Sequence, residues 1–211
     1  MSFDRLARHY RWMEFVFAGN KLQRCRIALL NRVTGAQNIL IAGEGNGRFL
    51  VECRHRFPVA RITVVDASAC MLKAAHNRLA AAGTDADSVE FVHSNILTWT
   101  PKVREYDLVV THFFLDCFPA GELARVVDTL ARSASRTAAW LLADFQIPAR
   151  GLRRYRAMAI HSLMYAFFRM ATRLPARALV SPDGFLKTHG FVLREKQTSE
   201  WGLLRSDLWM R

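Results

Sequence analysis

From residue 38 onward, short apolar runs alternate with stretches of helical period, and this alternation restricts the possible folds more than any other feature of the chain. The runs are Asn38 to Ala42, Arg61 to Val65, Val89 to His93, Tyr106 to Thr111 and Ala138 to Phe145. Between them the spacing predicts helices through Phe57, from Ser68 to Ala82 and from Gly121 to Ser133. Strands that alternate with helices pair in parallel, with helices covering both faces of the sheet. Two later strands, Phe191 to Ser199 and Trp201 to Met210, have only a tight turn between them. A crossover helix cannot fit there, so these two pair as an antiparallel hairpin. The expected fold is α/β: a doubly wound, mostly parallel seven-stranded sheet closed by an antiparallel C-terminal hairpin.

Helices are expected before and after this core. Phe3, Leu6, Tyr10, Met13 and Phe17 recur at steps of three and four, the period of an amphipathic helix, and a second helix is expected from Lys21 to Val33, stopping near Gly35. Beyond Phe145 an Arg-rich helix is expected from Leu152 to Leu174, with an apolar stripe of Leu152, Tyr155, Leu163, Phe167, Met170 and Leu174. "SPDGFLKTHGF" reads as a short helix that Ser181 opens and Gly190 ends. No linker rich in Pro, Gly or Ser divides the 211 residues, so one domain is expected. Within it, 1–35 is a helical cap, 36–145 a ligand-binding core, and 146–211 a lid helix with the closing hairpin.

The net charge of +12 is unevenly distributed. No acidic residue lies between Asp144 and Asp183, while Arg150, Arg153, Arg154, Arg156, Arg169, Arg173 and Arg177 all do. Such a field favours an anionic partner: a nucleic acid, an acidic small molecule or a membrane surface. No stretch reaches the roughly 18 uncharged apolar residues that a spanning helix needs. The charged N-terminus has no apolar signal core, which points to the cytoplasm, with attachment to the periphery of a membrane as a further option. Cys25, Cys53, Cys70 and Cys117 form no CxxC pair, so neither a zinc site nor a disulfide framework is expected, and no metal.

The first strand runs into "GEGNG", which places Gly43, Gly45 and Gly47 where strand becomes helix. In a doubly wound sheet ligands sit at that edge, and glycine lets the backbone approach them. A dinucleotide fingerprint needs a third glycine at position 48, which is Arg48. Asp66 ends the second strand, where a carboxylate can accept from ribose hydroxyls. "ILIAGEGNGRFL", "VVDAS", "VHSNIL" and "YDLVVTHFFLDCF" together resemble the first four motifs of the class I S-adenosylmethionine-dependent methyltransferases. The resemblance implies S-adenosylmethionine as cofactor and S-adenosylhomocysteine as product. It implies that Gly43, Glu44, Gly45 and Gly47 border the methionine portion, that Asp66 accepts from the ribose, and that Ala67 and Met71 pack on the adenine. Asn95, with Ile96 beside it, stands where the family often has an Asp for the adenine amino group; as a turn residue after the third strand it has a competing explanation.

The resemblance also frames the acceptor. "THFFLDCF" lacks the Asn/Asp-Pro-Pro-Tyr element of enzymes that methylate nucleobase amino groups, and is more similar to small-molecule enzymes. His112, at the end of the fourth strand, is a candidate general base at the cofactor mouth, and Asp116 either orients it or caps the next helix. Tyr10 and Trp12 are candidates for an aromatic lid. Asp144 ends the fifth strand, and His161 and Tyr165 share a face of the Arg-rich helix; all three are candidate acceptor contacts. "SLMYAFFRMATRL" followed by "GFLKTHGF" is loosely similar to the ubiquinone and menaquinone C-methyltransferases. The expected function is methyl transfer to a small nucleophile that is hydrophobic, anionic or both. An RNA-modifying or RNA-binding protein and a non-catalytic cofactor-binding subunit are the alternatives, and the sequence leaves the oligomeric state open.

Overall fold

A computed structural model of the chain describes residues 20–84, 86, 88–148, 150–152, 154–160 and 179–211. The expected first helix, with Tyr10 and Trp12, lies outside the described residues, as do His161 and Tyr165.

All seven expected strands form one sheet. They are β1 (Asn38–Ala42), β2 (Arg61–Asp66), β3 (Val89–His93), β4 (Tyr106–His112), β5 (Ala134–Phe145), β6 (Val192–Ser199) and β7 (Leu204–Met210). Their spatial order is β3-β2-β1-β4-β5-β7-β6, parallel through β5 and antiparallel for the last two. The order reverses between β1 and β4, which puts the switch point, and the natural ligand crevice, at the carboxyl end of β1.

The helices are α1 (Asn20–Ile27), α2 (Arg48–Arg56), α3 (Ala69–Ala81), α4 (Ala120–Ser133) and α5 (Asp183–Thr188), and the chain is also helical over 154–160. Alternation along the strands sorts the core into two layers. Ile39, Ile41, Leu108, Val110 and Leu141 pack with Phe49, Leu50 and Cys53 of α2 and Leu72, Ala75 and Leu79 of α3. Leu40, Val109, Trp140, Leu142 and Trp209 face the other way, onto Leu123, Val126, Val127 and Leu130 of α4 and Leu186 of α5. Asp107 fixes the entry to β1, its carboxylate accepting from the backbone N–H groups of Gln37 (2.9 Å) and Asn38 (3.1 Å).

Some boundaries differ from the sequence expectation. The second helix breaks after Ile27 and continues only as a 3₁₀ turn at Leu30–Arg32. Leu29, Leu30 and Val33 are all buried in the core layer that includes α2 and α3. β5 starts at Ala134, directly after α4, and its register with β4 shifts between Tyr106 and Leu108. α5 begins after Pro182 rather than Ser181, whose Oγ donates to Asp183 (2.7 Å). The β6–β7 turn is a 3₁₀ turn, Glu200–Gly202, with all three residues at positive φ.

Candidate active site

The glycine turn leaves β1 with Gly43, Gly45 and Gly47 all in the left-handed region, at φ 70°, 70° and 84°. Gly43 and Gly47 are held to glycine by contact as well. A Cβ on Gly43 would lie 2.1 Å from Cδ2 of Phe114, and one on Gly47 would lie 2.6 Å from the Cα of Ala75 in α3. The turn is thus packed from above by the loop after β4 and from the side by α3.

Asp66 closes the turn from β2. Its Oδ1 accepts from Ser68 N–H (2.9 Å) and its Oδ2 from Gly45 N–H (3.3 Å). Each carboxylate oxygen has two lone pairs, so each retains one for a further donor. Burial raises its pKa above the ordinary carboxylate value, and the two backbone bonds and His93 oppose the rise. Ser68 caps α3, accepting from Met71 N–H (3.3 Å), and so sets Ala67 and Met71 beside Asp66. Ile96 is buried among Leu40, Ala42 and Val65. The exposed Asn95 turns its side-chain oxygen back to Leu97 N–H (3.0 Å), an Asx turn that leaves its amide nitrogen outward.

Glu44, expected in the loop beside the cofactor, has a second duty that the sequence did not disclose. Its Oε1 accepts from Phe49 N–H (3.0 Å) and Leu50 N–H (2.9 Å), which satisfies the first turn of α2 where Gly47 has no side chain to do so. It is buried, and burial pushes its pKa from 4.5 up to about 7 despite those bonds and the nearby Arg26. A carboxyl that holds its proton longer folded than unfolded makes stability fall as pH rises from about 4.5 to about 7. Glu44→Gln keeps the accepting oxygen and removes the charge. It should be more stable than wild type above that window by about 2–3 kcal/mol, and equal to it below, in urea melts at each pH.

His112 and Asp116 part company. His112 belongs to the α2 side of the sheet, where its ring meets Phe49 edge-on at 4.4 Å and its buried Nδ1 has no hydrogen-bond partner among the described residues. Burial, aided by Arg26, lowers its pKa well below 6.5, so the imidazole is neutral. Asp116 lies in a 3₁₀ turn, Leu115–Cys117, and is coupled instead to Asp144 across the ends of β4 and β5. The charge that acts on His112 is that of Arg26 rather than that of Asp116. Nor does Asp116 cap α4, which starts from Pro119 without a side-chain cap. The charge of Asp116 is felt at Asp144, whose ionisation it opposes. Burial pushes Asp116 up to about 6, and burial together with Asp116 holds Asp144 well above the ordinary range.

Asp144 points toward a charged network that the sequence reading missed. Arg205 of β7 pairs in register with Asp144, and its Nη1 bonds Asp183 (2.7 Å) and approaches Asp207 (3.5 Å). Arg205 and Asp207 are both buried. The available signal was the spacing: opposite charges two apart in a strand share a face.

With this geometry in view, the similarities to known proteins can be placed. Residues 39–136 match a family described as "Methyltransferase domain". Trans-aconitate 2-methyltransferase of Paracidovorax citrulli (strain AAC00-1) is 39% identical over 79 residues, 36% of this chain and 28% of that protein. The solved structure of mitomycin 7-O-methyltransferase matches with a TM-score of 0.73 at 17% identity, covering 100% of this chain and 61% of the other. The chain has the class I methyltransferase fold. An O-methyltransferase family protein from Burkholderia thailandensis shares this methyltransferase fold with a TM-score of 0.69 at 16% identity, covering 90% of this chain and 56% of its own. The chain spans less than two thirds of each of these relatives. In the methyltransferase fold the turn at Gly43 to Gly47 and the acid at Asp66 occupy the switch point, and the Asp116–Asp144 pair stands beside it at the ends of the next two strands.

Proposed function

We propose that the chain is an S-adenosylmethionine-dependent methyltransferase acting on a small nucleophile that is hydrophobic, anionic or both. One observation carries the reading: a left-handed glycine turn at the switch point, closed by a β2 carboxylate whose two oxygens each keep an accepting site. Such a pair of oxygens matches a ribose diol. Ala67, Met71 and Ile96 would flank the adenine, with the Asn95 amide at its edge.

The bound cofactor would supply an electrophilic methyl whose leaving group, a neutral thioether, needs no acid. The chain's part is then to align the acceptor, exclude water and receive a proton where the acceptor must lose one. Asp116 suits the last task better than His112, because its carboxyl ionises near neutrality, whereas the His112 ring is packed against Phe49. Asp144 and Arg205 would set the polar end of the acceptor.

Calorimetry with S-adenosylhomocysteine tests the reading. The expected result is micromolar binding, about 8 kcal/mol, with no competition from nicotinamide dinucleotides. No heat with any adenosyl ligand would remove the methyltransferase reading. Tight binding without turnover on a broad acceptor panel would favour the non-catalytic subunit, and RNA binding with a steep salt slope would favour the nucleic-acid alternative.

A further inference from the structure

The Arg-rich segment departs from expectation in one respect. Leu152 and Tyr155 were expected on the apolar stripe of the Arg-rich helix, yet they are 86% and 71% exposed. Within 154–160 the one buried side chain is Ala157. Met158 is exposed too, and Trp201, at the tip of the β6–β7 turn, is 69% exposed. Of the seven large apolar residues exposed among the described ones, Leu152, Tyr155 and Met158 lie on this one short segment, and Trp201 is joined to it through Arg156.

Two contacts bring the tip and the segment together. The Arg156 guanidinium stands over the Trp201 ring at 5.9 Å, and its Nη1 donates to the Glu200 carbonyl at 3.5 Å. Lys21 holds the turn from the other side through Glu200, at 2.6 Å. Glu200 and Trp201 both have positive φ, at 52° and 65°, a conformation that side chains other than glycine rarely adopt. The turn is thus tied down in a form that displays an indole to solvent.

Around these side chains cations prevail, and the neighbouring Glu200 is paired with Lys21. Arg150, Arg154 and Arg156 are exposed, and the sequence holds no acid from 145 to 182. Trp and Tyr set among aliphatic and Arg side chains is the composition of a surface that enters the headgroup layer of a bilayer, with the cations meeting lipid phosphates and the rings lying just below. A solvated basic face would not present Leu, Met, Tyr and Trp together, and a nucleic-acid face would not need the aliphatic pair. No helix among the described residues is long and apolar enough to cross a membrane.

The geometry points to a docking surface for anionic lipid bilayers, formed by Leu152, Tyr155, Met158 and Trp201 with Arg150, Arg154 and Arg156. It would hold the protein at the surface from which a hydrophobic acceptor is drawn, and to that extent it extends the function proposed above. The docking itself does not depend on methyl transfer.

The test is cosedimentation of the full chain with vesicles of phosphatidylcholine alone and of phosphatidylcholine mixed with phosphatidylglycerol. Binding to the mixed vesicles is expected to be at least about tenfold tighter, and to weaken with salt. The triple variant Leu152→Ala/Tyr155→Ala/Trp201→Ala should lose it while keeping the wild-type urea midpoint. The triple variant Arg150→Gln/Arg154→Gln/Arg156→Gln should lose the preference for the anionic lipid. Wild-type protein that stays in solution with both vesicles overturns the proposal. So does an apolar variant that binds like wild type, or a self-association that the same variant abolishes. Vesicle binding without S-adenosylhomocysteine binding would leave this proposal standing and remove the other; the converse would do the reverse.

Discussion

Gly47→Ala is expected to cost the fold about 2–5 kcal/mol. Two penalties combine. The residue sits at φ 84°, ψ 13°, where an L side chain is strained by about 1–2 kcal/mol. The added Cβ would also lie 2.6 Å from the Ala75 Cα and 3.0 Å from its carbonyl oxygen. Those are atoms of α3 itself, so no side chain can swing aside and the helix must shift, an overpacking cost of about 1–3 kcal/mol. α3 carries Met71 and is capped by Ser68, so the shift would reach the Asp66 edge of the site. Gly35→Ala is the matched control, because its φ is also positive, at 72°, but nothing lies within 4 Å of the added carbon. Urea melts of the two variants separate strain from contact. Equal losses would mean that α2 and α3 tolerate a wider spacing at this point.

The sheet was readable because its signal is redundant. Each strand from β1 to β5 is an apolar run flanked by helical period, and the hairpin follows from the lack of room between Ser199 and Trp201. What escaped reading depends on which partner a polar group finds across space. Glu44 looks like a loop residue until the unsatisfied N–H groups of Phe49 and Leu50 appear beside it. Asp116 lies four residues from His112, the spacing of neighbours on a helix, but the chain leaves β4 through Phe113 at φ 52°, and the charge of Asp116 is felt at Asp144. Leu152 and Tyr155 have the period of a buried stripe, yet period fixes only that they share a side, not that something covers it.

Asp66→Ala should weaken S-adenosylhomocysteine by about 2–3 kcal/mol, roughly 30- to 150-fold, on the scale of hydrogen bonds to a charged group. The carboxylate is asked to do two things at once: hold Gly45 N–H and Ser68 N–H, and accept from the ligand with what remains of its lone pairs. Alanine removes both, so stability should fall as well, and a drop in affinity by itself would not separate them. Asp66→Asn does. Its one carbonyl oxygen can still accept from Ser68 N–H, but its amide presents donors toward Gly45 and the ligand, so the turn keeps one of its ties while the ribose loses an acceptor. If Asp66 reads the ribose, the Asn variant should retain most of its urea stability and lose most of its affinity. The pH dependence follows from the same carboxyl. Burial raises its pKa, so binding to wild type should weaken on acidification at a higher pH than an exposed Asp would require, and Asp66→Asn should lack that dependence. If instead both variants lose stability while the affinity of their folded fraction is unchanged, Asp66 ties the glycine turn to β2 and does nothing more, and the site would have to be rebuilt around the Asp116–Asp144 pair.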